Sequence, residues 1–344
     1  ATRQGDDARE GFSALIPARR YGEWDLELPP AHGDPVYAEI ALFRVRLTAP
    51  RAMIVASTGV VVDETIDEGL GARTLLLASG PAREFNVAMS SAYQAAAEQI
   101  GDTTLRSYFR PEGRAAGLQA LRVAADSFRT FSELFGVYPY TELDLAETPT
   151  IAGGIEYPGL IVLNQRYYAG AAGGRFDWVV VHEVAHQWWY ALVGNDQINE
   201  PWLDEALTNY STWLHFERVT DERLAGQMFE EAFVRPAKEM RQQGQDLPIG
   251  LPVDGYTSQN YGPIVYGKGP LFFHALRQRV GDETFFRILR AYFERHEYGI
   301  ARGTDFLAVA QEVAGQDLAD LYAEWVLGAV PEPASASLMS AAMP

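Results

Sequence analysis

Residues 176–193 read FDWVVVHEVAHQWWYALV, an apolar run interrupted by His182-Glu183-Val184-Ala185-His186. The run contains neither Gly nor Pro, and a helix is predicted over Asp177–Val193. On a helix, positions i and i+4 share one face about one turn apart. His182 and His186 can therefore grip one ion, with Zn–N distances of ~2.0–2.1 Å. Glu183 is rotated by ~100° from His182. It misses the ion but reaches a water beside it, the position a general base requires. In a chain of this composition a His-acid-x-x-His pattern arises by chance on the order of 0.01 times, so a pair of packed core histidines is the weaker reading.

A third ligand is needed, and the stretch Trp202-Leu203-Asp204-Glu205-Ala206-Leu207-Thr208 offers one. Glu205 follows His186 after eighteen residues. The break from Gly194 to Pro201 lets a second helix start near Trp202 and fold back on the first. Two His and one Glu leave a fourth position open, as in catalytic rather than structural zinc sites. Asp204 and Glu200 compete with Glu205, although acids in a first helical turn also suit the helix dipole.

The composition agrees with such a site. The chain of 344 residues has no cysteine and six histidines. Disulfides, thiolate catalysis and sulfur-ligated zinc are excluded, so a metal site must use His and carboxylate. With 28 basic and 46 acidic residues the formal charge is −18, which disfavours nucleic acid as a partner. No apolar run reaches the ~18–20 residues of a transmembrane helix. The nearest, Met53–Val62, reads as a strand. The chain starts at Ala1 without a visible signal peptide, as expected of a mature or truncated product. Both cytoplasmic and extracytoplasmic locations stay open.

Residues 1–90 are predicted as β structure, with strands at Val36–Thr48, Met53–Val62, Arg73–Ser79 and Phe85–Ser90. His32 falls in a Pro/Gly-rich turn and reads as a solvated loop residue. Beyond residue 100, Thr103–Phe109, Leu143–Glu147 and Ile155–Leu163 read as strands. Arg114–Phe135 has helical periodicity, with Gly136 suited to the C-cap. Further helices are predicted at Trp202–Val219, Asp221–Arg241 (with Pro236 as a break or kink), Pro263–Val280, Asp282–Glu297, Thr304–Val313 and Leu318–Leu327. Residues 331–344 are Pro/Ala/Ser-rich and are expected to be disordered. The order β, mixed, then helical is an α+β pattern.

HEVAHQWW at 182–189, WLDEALTNY at 202–210 and the eighteen-residue spacing resemble the M1 family of zinc metallopeptidases, the gluzincin aminopeptidases. Gly153-Gly154-Ile155-Glu156-Tyr157 is similar to that family's G-x-M-E-N motif, with Ile for Met and Tyr for Asn. Tyr261-Gly-Pro-Ile-Val-Tyr266-Gly-Lys268-Gly269 resembles the segment carrying its transition-state tyrosine. The resemblance implies a thermolysin-like catalytic domain, with a mixed sheet and a helical lobe, at residues 91–330. It also implies that residues 1–90 are the C-terminal part of a truncated all-β domain.

In chemical terms the resemblance implies one Zn2+ on His182, His186 and Glu205, with Glu183 as general base. Tyr266 is the implied oxyanion donor, and Glu156 the acceptor of a substrate α-ammonium. Gly153 and Gly154 would let backbone approach the substrate closely. The expected partners are peptides with a free N-terminus, cleaved at their first bond. A thermolysin-like endopeptidase, an epoxide hydrolase side activity and a non-catalytic scaffold are the alternatives. Glu156 and the Tyr266 segment argue against the first, and retention of all three ligands and the base argues against the last. His215, His274, Trp188 and Trp189 read as packed core residues, and His296 as a solvated helix end.

Overall fold

The computed structural model describes residues 8–15, 19–20, 23–24, 32–33, 36–170 and 173–328, so the expected disorder of 331–344 lies outside the described residues. The strands before residue 91 are β1 (Ala8–Leu15), β2 (Arg19–Arg20), β3 (Glu23–Trp24), β4 (Ala41–Pro50), β5 (Ile54–Ser57), β6 (Val60–Asp67), β7 (Ala72–Ala82) and β8 (Glu84–Ser90). They form two antiparallel three-stranded sheets, ordered β1-β8-β5 and β4-β7-β6, beside the short β2-β3 pair. Leu75, Leu77, Phe85 and Val87 are buried together between these sheets.

A mixed five-stranded sheet follows, built of β9 (Gln94–Ile100), β10 (Thr103–Phe109), β11 (Glu142–Thr148), β12 (Gly154–Ile155) and β13 (Leu160–Asn164) in the order β12-β13-β11-β10-β9. Strands β10, β11 and β13 are parallel, and the two edge strands are antiparallel to their neighbours. The central strands are buried on both faces, which is why they read as continuous apolar runs. Leu143, Leu145, Ile161 and Leu163 face the helices. Ala146, Leu160 and Val162 face Ala56 and Ala88 of the β5–β8 sheet.

The helices are α1 (Arg114–Leu134), α2 (Gly174–Ala185), α3 (Trp202–Val219), α4 (Glu222–Phe229), α5 (Arg235–Gln242), α6 (Gly269–Val280), α7 (Asp282–His296), α8 (Gly303–Ala314) and α9 (Ala319–Trp325). The molecule is thus α+β, with strands in the first half and helices dominating the second. Helix α1 ends where Gly136 adopts φ 149°, and a Cβ there would stand 2.6 Å from the Phe293 ring. Among the described residues no helix is long and apolar enough to cross a membrane.

Several elements depart from the sequence expectation. Helix α2 stops at Ala185 rather than Val193. The chain then turns through Trp188 to Val193, with Tyr190 at φ 126°. Apolar character continues because the turn itself is buried; Trp188 is 0% and Trp189 1% exposed. Pro236 neither breaks nor kinks a free helix end, because a π-helical turn at Glu230–Val234 joins α4 to α5 and places Pro236 in the first turn of the latter. A second π-helical segment, Gly262–Lys268, precedes α6. The strand expected over Ile155–Leu163 is two strands separated by Pro158-Gly159, with Gly159 at φ 71°. His32 is half-buried rather than solvated, and its ring meets Tyr261 edge-on at 5.3 Å.

Arg83, between β7 and β8, joins the halves. Its guanidinium donates to the carbonyls of Tyr190 (2.6 Å), Ala38 (3.1 Å), Leu192 (3.3 Å) and Gly299 (2.5 Å). It is 2% exposed, and burial lowers its pKa to about 10. The turn after α2 is therefore held by an arginine from the strand region.

Candidate metal centre and active site

Helix α2 supplies His182, and His186 is its C-cap, so the i, i+4 pair straddles the last turn. Helix α3 packs against α2 and presents Glu205 from its first turn. The three side chains form a group able to hold a metal ion. His182 Nε2 and His186 Nε2 are 3.1 Å apart, and Glu205 Oε2 lies 3.3 Å and 3.4 Å from them. Ligand atoms ~2.05 Å from a tetrahedral ion are separated by ~3.3 Å, so the triangle has the dimensions of a zinc site. Two imidazole nitrogens and a carboxylate are also a donor set zinc accepts.

The ring of His186 is oriented from behind. Its Nδ1–H donates to the Trp189 carbonyl at 2.9 Å, with Thr208 Oγ1 at 3.2 Å. With Nδ1 engaged there, Nε2 is the ring nitrogen that faces the triangle. Burial favours neutral imidazole at both histidines and holds His182 below its ordinary range. At His186 the carboxylates of Glu156 and Glu205 outweigh burial and hold the imidazolium well above it. Burial would likewise raise Glu205, but His186 and His182 keep it well below the usual carboxylate range.

The two rival acids are engaged elsewhere. Asp204 is 2% exposed, accepts from Asn195 Nδ2 at 2.9 Å and Gln197 Nε2 at 2.8 Å, and is pushed up to about 7 by burial. Glu200 accepts the Gly303 N–H at 2.9 Å and so caps α8.

Glu183 is 5% exposed, and burial and Glu156 raise it well above the usual range. The backbone of β12 passes directly over it. A Cβ on Gly154 would stand 2.5 Å from Glu183 Oε1 and 2.6 Å from Cδ, whereas one on Gly153 would meet nothing nearer than 3.5 Å. The two glycines thus differ: Gly154 has no room for a side chain, and Gly153 does.

Glu156 is 7% exposed and within electrostatic reach of His186, Glu205 and Glu183. Burial raises its pKa, with His186 opposing and Glu205 reinforcing. Gln197 Nε2 donates to its Oε1 at 3.4 Å, and Gln187 Nε2 to its carbonyl at 3.4 Å and to that of Tyr157 at 3.3 Å. Gln187 Oε1 accepts the Gly159 N–H at 2.9 Å, fastening the whole 156–159 segment to the end of α2.

Tyr266 lies in the π-helical segment, its ring stacked 6.0 Å from that of His182 and edge-on to Tyr261 at 5.9 Å. Lys268 points away, onto Asp246 Oδ1 at 2.5 Å and the Leu247 carbonyl at 2.8 Å. His182, His186 and Glu205 are thus brought together, with Glu156 and Glu183 in electrostatic reach of them, Gly154 against Glu183 and the Tyr266 ring beside His182. His215 and His274 lie outside this group: His215 is 3% exposed on Thr130 Oγ1, and His274 contacts Tyr210.

Sequence reasoning missed Gln187, Gln197, Thr208 and Asn209. Gln187 was findable, since it adjoins His186. Thr208 and Asn209 stand within the 202–210 stretch and Gln197 stands outside any quoted stretch, and the roles of all three depend on contacts that form only when α2, α3 and the π-helical segment pack.

The Peptidase family M1 domain matches residues 119–325, a span that holds every one of these site residues, and the chain belongs to that family. Aminopeptidase N of Streptomyces lividans is 28% identical over 220 residues, covering 59% of this chain and 25% of that protein. Aminopeptidase M1-A of Oryza sativa subsp. japonica is 28% identical over 309 residues, 86% of this chain and 35% of that protein. Aminopeptidase N of Lactococcus lactis subsp. lactis is 28% identical over 220 residues, 60% and 26%. The chain thus spans about a quarter to a third of the length of these relatives.

Proposed function

We propose that this chain carries a zinc aminopeptidase activity, removing the first residue of peptides with a free N-terminus. One observation carries the reading: a buried carboxylate, Glu156, within electrostatic reach of both the His-His-Glu triangle and the candidate base. A buried acid there needs a cation, and a peptide α-ammonium beside the scissile bond supplies it. The relatives' names support the same activity.

His182, His186 and Glu205 would hold the zinc, which when bound polarises the scissile carbonyl and brings the pKa of water toward ~7. Glu183 takes the proton of the attacking water and passes it to the leaving amine. Tyr266 donates its phenol hydrogen to the developing oxyanion, since a phenol with pKa ≈ 10 keeps its proton at neutral pH. Such a donor lowers the barrier by ~2.7–4 kcal/mol. The 153–154 backbone lies along the substrate. Residues 91–330 form the peptidase unit in this reading, with residues 1–90 a β unit packed against it.

The test compares one peptide with its N-acetylated form. The free peptide should be cleaved at its first bond with kcat/KM at least ~100-fold above the acetylated one, as expected when a buried charge loses its partner. Glu156→Gln should shrink that ratio. Equal cleavage of both peptides would reject the exopeptidase reading and favour an endopeptidase.

A further inference from the structure

We propose that Asn209, on α3, is a positioning residue for Tyr266; the proposal rests on the oxyanion role given to Tyr266 above. Asn209 is 6% exposed, and besides a hydrogen bond with the His182 side chain its amide has two partners of opposite kind. Trp178 Nε1–H donates to Asn209 Oδ1 at 3.1 Å, and Asn209 Nδ2–H donates to the Tyr266 carbonyl at 2.6 Å. An indole N–H only donates and a carbonyl only accepts, so the amide has one orientation and cannot flip.

The bond at Tyr266 answers a local deficit. In an α-helix the Tyr266 carbonyl would accept from the residue four positions on. That residue is Pro270, which has no N–H. The chain runs through this point as a π-helical segment, Gly262–Lys268, and the Asn209 amide takes the carbonyl from the side. π-Helical turns are rare and sit frequently at functional positions. Here the turn carries Tyr266, whose ring stacks on that of His182.

The chain of contacts is thus continuous. Trp178 lies one turn before His182 on α2, and Asn209 one turn after Glu205 on α3. The Asn209 amide also stands beside the His182 ring. Both ligand-bearing helices therefore grip the backbone of Tyr266 through one amide. Trp178, Asn209 and Tyr266 share the wall of one cavity of about 290 Å³. Asn209 need not touch substrate; its effect passes through where Tyr266 puts its phenol.

The test is a double-mutant cycle on the zinc-loaded enzyme with an aminoacyl arylamide substrate. Asn209→Leu should lower kcat ~10- to 100-fold, as loss of an orienting partner does, with KM changed less than ~3-fold, because the lost interaction belongs to the transition state. Bound zinc should stay at one per chain. In a Tyr266→Phe background the same substitution should change kcat less than ~2-fold, since the hydroxyl it positions is gone. Trp178→Phe removes the indole N–H together with the pyrrole ring while keeping an aromatic ring against Phe216 and Phe233, and leaves the Asn209 amide in place; it should show a smaller loss, again confined to the Tyr266 background. An equal loss in both backgrounds overturns the proposal while leaving Tyr266 in its role. A Tyr266→Phe enzyme with full kcat removes that role and the proposal with it.

Discussion

Gly153 and Gly154 look equivalent in sequence, yet only one is tied to Glu183, the proposed general base. The hydrogen atoms of Gly154 Cα are the wall against which Glu183 rests, and a methyl group there would overlap Oε1 and Cδ. Glu183 is buried, so it cannot swing into solvent to escape. Gly154→Ala should therefore displace the base. A misplacement of ~1 Å costs on the order of 10²-fold in rate, and kcat is expected to fall by that amount with zinc content unchanged. Gly153→Ala, with 3.5 Å to its nearest neighbour, should stay within ~3-fold of the parent. Steady-state kinetics with metal analysis checks both; a Gly154→Ala enzyme with normal kcat would show that the base does not need this seat.

Strand β11 shows what an element can hide from sequence. Leu143 and Leu145 face the helices, so Asp144 between them is directed at the opposite sheet, where it is 4% exposed. Its Oδ1 has no hydrogen-bond partner, and Arg106 Nη1 stands 3.8 Å away. Burial, opposed by Arg106 and reinforced by Glu142, pushes its carboxyl up to about 8 from an ordinary value near 3.8. Between those two values the folded protein keeps a proton that the unfolded chain has released. This contribution is whole at acid pH and declines as pH rises through the window, by up to ~1.4 kcal/mol per unit. Asp144→Asn removes the titration, so its melting temperature should gain on the parent's steadily from pH 5 to pH 8. A gap constant over that range would show that Asp144 does not titrate there. The alternation that buries Asp144 was visible in the sequence; the second sheet against its face was not. The same division runs through the site. His182, Glu183 and His186 were legible because helical period alone sets their geometry, and Glu205 because it stands in the first turn of the next helix, eighteen residues after His186. The end of α2 at Ala185 was not, because a buried turn is as apolar as the helix before it. Strand β9, Gln94–Ile100, lacks β-branched residues until its end and exists as an edge partner of β10. The π-helical segments and Asn209 depend on packing between helices distant in sequence.

At the scale of the whole molecule the difficulty is charge. The chain carries −18, and Glu84, Glu156, Glu183, Asp204 and Glu205 are all buried. Among the described residues the buried side chains with a permanent positive charge reduce to Arg83, and its donors go to carbonyls. Buried carboxylates without a counter-charge are costly. Without metal, His186 supplies that charge as an imidazolium, which is why its pKa stands so high. A divalent ion at the His182–His186–Glu205 triangle replaces the proton with two charges and ties α2 to α3. Metal should therefore be part of the stability of the whole helical half, not only of its chemistry. At free zinc 1,000-fold above Kd the folded state gains about 4 kcal/mol. Since 1 kcal/mol moves the melting temperature of a large domain by ~2–4 °C, chelation should lower it by roughly 8 °C or more. Zinc, returned to the chelated protein near neutral pH, should release protons. His186→Gln removes a ligand and the compensating charge together, so its melting temperature should be insensitive to chelator. A parent protein that melts at the same temperature with and without chelator, and releases no protons on zinc addition, would show that these three side chains do not hold a metal.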